Sequence, residues 1–141
     1  MRESRDDAFT LIELLIVMVI IGILAAIAVP IFLAQRQSGY DTKAKSDVRG
    51  LATQEELHLT NTGTYGSIGD LQAAKAEVLV SSGVTVSVVR YNGSTGFCLS
   101  AKHSSSSNTW FYDSRSYGLQ SRGANGCPAT TAGTVGDSLS G

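Results

Sequence analysis

This 141-residue sequence is poor in charge and in cysteine, and each shortage excludes a class of function. Charged residues make up 16% of the chain and the net charge is −1. That balance gives no support for direct nucleic-acid binding or for an acidic substrate. The chain contains no Gly-rich phosphate loop, HExxH or GxSxG, so no motif indicates an enzyme. The two cysteines form no CxxC and only two histidines accompany them. We therefore predict no cofactor and no metal.

A long apolar run near the start is the strongest feature that the sequence does have. Residues 14–34 contain no charged side chain, and as a helix they would be about 31 Å long, close to the thickness of a hydrocarbon core. The rest of the chain offers too little apolar surface to surround a helix that is apolar on all sides. The run therefore predicts a membrane-spanning helix rather than the buried helix of a soluble protein.

A cleaved secretory signal is the main alternative for this run. Arg2 and Arg5 would be its basic region, and AIA at residues 26–28 would be its cleavage site, which would leave Val29 as the first residue. Glu13 would interrupt the apolar region of such a signal, and Pro30 would lie just after the cut. The basic residues on the two sides of the run do not settle its orientation.

The stretch AFTLIE at residues 8–13, followed by the apolar helix and Pro30, resembles the N-terminus of a type IV pilin or pseudopilin. In that family a leader is cut before a residue that is usually Phe, whose new amine is then methylated. The resemblance implies a leader ending at Ala8, where the family usually has Gly, and cleavage before Phe9. Counted from Phe9, Glu13 and Pro30 fall on the family's Glu and Pro positions.

The same resemblance implies roles in assembly for Phe9, Glu13, Gly22, Ala26 and Pro30. In a filament the Glu13 carboxylate would meet the amine of a neighbouring subunit, and such a pair would set the register of the subunits. The small residues Gly22 and Ala26 would let helices approach closely. Pro30 removes a backbone donor, so the helix would be most compliant between Gly22 and Pro30.

The implied function is a structural subunit of a type IV pilus or pseudopilus. The implied partners are identical or related pilin subunits, a prepilin peptidase, an inner-membrane assembly platform and, before assembly, membrane lipid. The protein would be a single-pass cytoplasmic membrane protein first and part of an extracellular filament later. Two alternatives remain open, namely a membrane-anchored binding module that never polymerises and a pseudopilin of a secretion or DNA-uptake system.

The remaining pattern predicts an α+β fold in which a long N-terminal helix packs on a small antiparallel β-sheet. We expect a leader at 1–8, a membrane and assembly helix at 9–34, an amphipathic continuation at 35–63 and a β-sheet ectodomain at 64–141. Apolar positions step by three or four up to Leu59, and Gly63 is a helix stop. Further predictions are a short helix at 70–78 capped by Asp70, strands at 84–91, 97–101, 109–112 and 117–119, a hairpin turn at 92–93, and a loose tail from Arg122.

The polar and aromatic residues of the ectodomain suggest mainly structural roles. Outside the membrane, Cys98 and Cys127 are most simply a disulfide, although two free thiols or half of a metal site remain possible. We expect His58 and His103 to be solvated. Trp110 and its aromatic neighbours should pack alternately on the helix. Asp113 and Asp137 could join a calcium site, but their spacing is not specific.

Overall fold

The computed structural model describes residues 9–116, 118–120, 127 and 137–141. Its helices are α1 (Leu11–Thr62) and α2 (Ile68–Ala73), and its strands are β1 (Val84–Asn92), β2 (Gly96–His103), β3 (Thr109–Asp113), β4 (Gly118–Leu119) and β5 (Ser138–Ser140). The chain divides into two compact units, the first ending at Arg36 and the second beginning at Gln37. Helix and antiparallel sheet together confirm the predicted α+β fold.

The second unit is built on the last part of α1, which buries one face against the sheet. Ala44, Val48 and Leu51 are at most 2% exposed, and they are the positions that the helical spacing predicts. The helix ends where the sequence places its stop. Gly63 has φ +82° and donates its N–H to the Leu59 carbonyl at 2.7 Å, which is the left-handed cap that glycine adopts without steric cost.

The sheet has the order β4-β3-β2-β1-β5, and all its pairings are antiparallel. Alternation along the strands sends Val86, Leu99 and Trp110 to the face that forms the core. Fully burying a side chain such as Leu99 contributes roughly 1.5–3 kcal/mol. The apolar core contains Ala44, Val48, Leu51, Ala52, Tyr65, Ile68, Leu71, Val84, Val86, Val88, Phe97, Leu99, Ala101 and Trp110.

Helix α2 begins earlier than predicted, and its N-cap is Ser67 rather than Asp70. The Ser67 hydroxyl accepts the Asp70 N–H at 3.1 Å, and the Asp70 carboxylate accepts the Ser67 N–H at 2.8 Å. Asp70 is thus the third helical residue of a capping box, which places the helix start after Ser67. The helix also ends early, because Lys75 follows with φ +60°.

The prediction of a loose tail is wrong for its last residues. Residues 121–126 and 128–136, like Tyr117, lie outside the described residues. Ser138–Ser140 form β5, in which Leu139 pairs with Val86 of β1. The Val88 N–H also bonds the Asp137 carbonyl at 2.9 Å. This strand is held by backbone hydrogen bonds to β1, so its polar composition did not prevent pairing.

The polar loop between β2 and β3 is attached to α1 by Asp41. Asp41 is only 6% exposed. Its two carboxylate oxygens accept the Ser106 hydroxyl at 2.6 Å and the Asn108 side-chain amide at 2.7 Å.

The prediction that His103 is solvated is also wrong. The residue is 6% exposed, and its ring stacks on Tyr40 with ring centroids 4.2 Å apart.

Candidate functional site

The first unit is an apolar helical segment whose side chains are exposed. Between Phe9 and Leu33, the exposed large apolar residues have between 47% and 83% of their surface accessible to solvent. By length and composition α1 could cross a membrane, and none of its most apolar stretch is buried within the protein. Such a segment is stable in water only if lipid or other protein covers it.

Thr10 and Glu13 form a helix cap at the start of this segment, which the sequence analysis did not predict. The Glu13 Oε2 atom accepts the Thr10 backbone N–H at 2.9 Å and the Thr10 hydroxyl at 2.7 Å. In return, the Glu13 N–H bonds Thr10 Oγ1 at 3.3 Å. This is a capping box, and its signal was available as T-x-x-E before an apolar run.

The capping box leaves part of the Glu13 carboxylate available. Both Thr10 donors bind Oε2, while Oε1 accepts no hydrogen bond from any residue that the structure describes. The cap uses only groups from Thr10 onward, so cleavage before Phe9 would leave it intact. Glu13 can therefore cap its own helix and still accept a donor from another molecule.

The other predicted assembly residues lie on the same segment. Phe9 is 83% exposed, and Ala8 lies outside the described residues. Gly22 and Ala26 are one turn apart on α1, and both are exposed. A Cβ on Gly22 would meet no atom within 4 Å, so within this chain its small size is not required. Pro30 lies inside α1, which is helical on both sides of it.

A second cluster of polar groups lies at the far end of α1, and sequence reasoning missed it. Glu55 is fully buried, with Oε2 accepting the Gly66 N–H at 3.1 Å. Burial raises the pKa of Glu55 to about 7, the Gly66 hydrogen bond opposes the rise, and Asp70, Glu56 and Asp137 add to it. His58 is 8% exposed, so the prediction that it is solvated is wrong.

The two aspartates considered for calcium have separate structural tasks. Asp137 accepts the backbone N–H groups of Ile68 and Gly69 at the start of α2. Asp113 is 1% exposed and its Oδ1 accepts the Arg115 N–H. Among the described residues, no group of three or more His, Cys, Asp or Glu side chains could hold a metal ion.

Cys98 and Cys127 form a disulfide that joins β2 to the C-terminal region. Cys98 is a fully buried residue of β2. The bond spans 29 residues of sequence. The cross-link therefore attaches a Gly-, Ser- and Thr-rich stretch, which has little apolar surface of its own, to the core of the second unit.

Comparison with known proteins identifies the N-terminal segment directly. A family model described as the prokaryotic N-terminal methylation motif matches residues 4–29. This range contains the predicted cleavage point, Glu13 and most of the apolar run. The match agrees with the resemblance to pilins that these residues show.

Three relatives extend the comparison beyond that segment. The chain is 36% identical to the type IV wide pilus major component PilA4 of Thermus thermophilus over 114 residues, or 79% of this chain and 82% of the relative. It is 38% identical to the type IV major pilin protein PilA of Myxococcus xanthus over 48% of this chain and 31% of the relative. It is 34% identical to the type II secretion system core protein G of Pseudomonas aeruginosa over 48% of this chain and 47% of the relative.

The length of these matches limits what each one shows. The match spans about a third of the length of the Myxococcus pilin and about half of the length of the secretion protein. The Thermus match covers most of both chains. With the methylation motif and the helix-on-sheet fold, it shows that the chain belongs to the family of type IV pilins and pseudopilins.

Proposed function

We propose that this protein is a structural subunit of a type IV pilus or pseudopilus. It is made with a leader at residues 1–8, is cut before Phe9 by a prepilin peptidase, and polymerises through residues 9–34. Residues 35–63 continue the helix and residues 64–141 form the ectodomain of the filament. The protein acts mechanically rather than as an enzyme.

The exposed apolar segment is the single observation that carries this proposal. Residues 11–33 include a nearly continuous series of Leu, Ile, Val, Met and Phe side chains, each about half exposed or more. At roughly 25 cal/mol for each Å² removed from water, covering this surface is strongly favourable. Lipid covers it first, in a cytoplasmic membrane protein that spans the bilayer once. The same segments of other subunits cover it after assembly, in a filament at the cell surface.

Glu13 supplies the specificity that apolar packing lacks. Apolar helices can slide past one another at little cost in free energy. In contrast, separating a charged pair inside an apolar bundle is strongly destabilising, because it leaves a buried charge without a partner. The resemblance to pilins points to the amine of Phe9 on a neighbouring subunit as the partner. The Oε1 atom of Glu13, which accepts no hydrogen bond from the described residues, supports this assignment, because the carboxylate need not give up its cap to accept that amine.

A pseudopilin of a secretion system is the second candidate. The observation in its favour is the similarity to type II secretion system core protein G from several bacteria, at 32–34% identity. Those matches cover less than half of this chain, whereas the match to the Thermus pilus component covers 79% of it. The longer match favours a pilus subunit. Surface fibres of this chain on cells would separate the two candidates.

The test is to compare wild type with Glu13→Ala in cells that produce the chain and its assembly machinery. Fibres are sheared from the cells, and the chain is quantified in the fibre and membrane fractions. We expect Glu13→Ala to be membrane-bound and cleaved but largely absent from the fibres. Wild-type protein that stays entirely in the membrane as a monomer would instead support the non-polymerising anchored module, and normal fibres from Glu13→Ala would contradict the role of Glu13.

A further inference from the structure

The dipeptide Asn92–Gly93 lies where β1 ends and the turn to β2 begins, and it has chemistry of its own. Asn92 is exposed and is followed by Gly93. No residue that the structure describes hydrogen-bonds the side-chain amide of Asn92. The other described asparagines, Asn61 and Asn108, are each followed by threonine, and the Asn108 amide is bound to Asp41.

We propose that Asn92–Gly93 is a site of spontaneous deamidation that alters the β1–β2 turn as the protein ages. The reaction needs no enzyme and no reactant other than water. It lies outside the assembly segment and does not depend on the proposed function.

The chemistry follows from the position of one backbone nitrogen. The Gly93 nitrogen loses its proton to base and attacks the side-chain carbonyl carbon of Asn92. A carbon–nitrogen bond forms, the base returns the proton to the side-chain nitrogen as the bond from that nitrogen to carbon breaks, and ammonia departs, which leaves a five-membered succinimide. Water then opens this ring at one of its two carbonyls and yields either aspartate or isoaspartate.

The structure supplies the steric freedom that this attack requires. Gly93 carries no Cβ to block the approach, and its surroundings are open, since even an added Cβ would meet no atom within 4 Å. A β-branched residue in the same position, such as the threonine that follows Asn61, crowds the attacking nitrogen. Asn92 therefore differs from Asn61 in this respect although both are exposed.

Thr95 sets the rate by restraining the same peptide unit. The Asn92 carbonyl accepts the Thr95 N–H at 2.8 Å and the Thr95 hydroxyl at 2.6 Å. Rotation of the Asn92–Gly93 peptide into the attacking geometry must weaken both hydrogen bonds. Loss of the Thr95 hydroxyl should therefore speed deamidation, which makes Thr95 a positioning residue for the turn.

Deamidation would also disturb a hydrogen bond outside the turn, the one that Tyr65 donates. The Gly93 carbonyl accepts the Tyr65 N–H at 2.7 Å. Isoaspartate inserts an extra methylene into the backbone immediately before Gly93 and shifts this carbonyl. Either product also adds a negative charge beside a groove that Asp70, His58 and Tyr65 line. We expect faster hydrogen exchange at the Tyr65 amide in aged protein.

The experiment incubates the purified full-length protein in detergent at mildly alkaline pH and follows each asparagine by peptide mass spectrometry. Asn92 should deamidate at least an order of magnitude faster than Asn61, and isoaspartate should be found at position 92. Gly93→Ala should reduce the rate at Asn92 to that of Asn61, and Thr95→Val should increase it. Asn92→Gln is the control that should keep the Tyr65 amide protected during ageing.

A urea-unfolded sample shows that the assay detects the reaction at Asn92. If Asn92 reacts there but is no faster than Asn61 in the folded protein, the fold suppresses the chemistry and the proposal is wrong. An unchanged rate in Thr95→Val would overturn the restraining role of Thr95.

Discussion

Glu13 binds Thr10 through a single carboxylate oxygen, which accepts the Thr10 N–H at 2.9 Å and the Thr10 hydroxyl at 2.7 Å. This contact gives the Glu13 carboxylate a second role at the start of an apolar helix. The residue caps its own helix as well as carrying the charge proposed to pair with a neighbouring amine. The two roles require different chemistry, so they can be separated.

Glu13→Gln and Thr10→Val separate the charge of Glu13 from its capping role. Glutamine also completes a capping box, so Glu13→Gln retains the cap and loses the charge. Thr10→Val loses the hydroxyl and retains the charge, at a cost of about 1 kcal/mol to the helix start. We expect Glu13→Gln to lose fibres as Glu13→Ala does, and Thr10→Val to assemble. Quantifying the chain in sheared fibres checks this, and the reverse pattern would show that capping is the role that matters.

Glu55 should make the stability of the second unit fall as pH rises. Burial raises the pKa of Glu55 from 4.5 to about 7, so the folded state holds a proton that the unfolded state has released. The stabilisation from this proton is fully present below pH 4.5 and is lost as pH rises through about 7. Glu55→Gln should remove this loss and stabilise the protein at about pH 8 by roughly 2–3 kcal/mol.

The measurement for Glu55 is the free energy of unfolding of the full-length protein in detergent, as a function of pH. Glu77→Gln is the matched control, since Glu77 is exposed and lies outside the cluster. It should leave the pH dependence of wild type unchanged. A Glu55→Gln protein whose stability falls with pH as steeply as that of wild type would contradict the buried-carboxyl account.

The disulfide should account for much of the stability of the second unit. On the chain-entropy model, a loop of about 30 residues contributes roughly 3–4 kcal/mol. Reduced wild type should lose this amount of unfolding free energy, and Cys98→Ala/Cys127→Ala should lose it together with a cavity term at the buried Cys98 site. A loss below about 1 kcal/mol on reduction would mean that the C-terminal region is held by β5 alone.

Replacing Ser106 should destabilise the protein far more than replacing its exposed neighbour Ser105. The Ser106 hydroxyl donates to Asp41 at 2.6 Å and accepts the Gln37 side-chain amide at 2.7 Å. Ser106→Ala leaves a buried carboxylate short of a donor and should destabilise the protein by roughly 1–3 kcal/mol. Ser105→Ala should change stability by less than about 0.5 kcal/mol. Equal effects in chemical denaturation would show that the network is not a structural attachment.

Features that local sequence controls were predictable. The burial of Ala44, Val48 and Leu51 follows from helical spacing, and the stop at Gly63 follows from the conformation that glycine allows. The hairpin was predicted at the right place but as a two-residue turn at 92–93, whereas Asn92 ends β1 and pairs with Gly96, and residues 93–95 form the turn. The capping boxes at Thr10 and Ser67 follow equally local rules, because T-x-x-E and S-x-x-D are readable in the sequence.

Features that depend on distant partners were not predictable. Asp41 is buried because Ser106, 65 residues away, donates to it. Strand β5 has one apolar residue, Leu139, and forms because the edge of β1 offers it backbone partners. His58 and His103 are buried by segments that approach them only in the folded chain. No local pattern records such contacts.

The central claim is that the chain is processed before Phe9 and assembled through the exposed segment that follows. The most direct measurement is the N-terminal residue of the protein recovered from sheared fibres, determined by peptide mass spectrometry. The account predicts N-methylated Phe9. A chain that begins at Met1, or at Val29 after removal of a secretory signal, would contradict it.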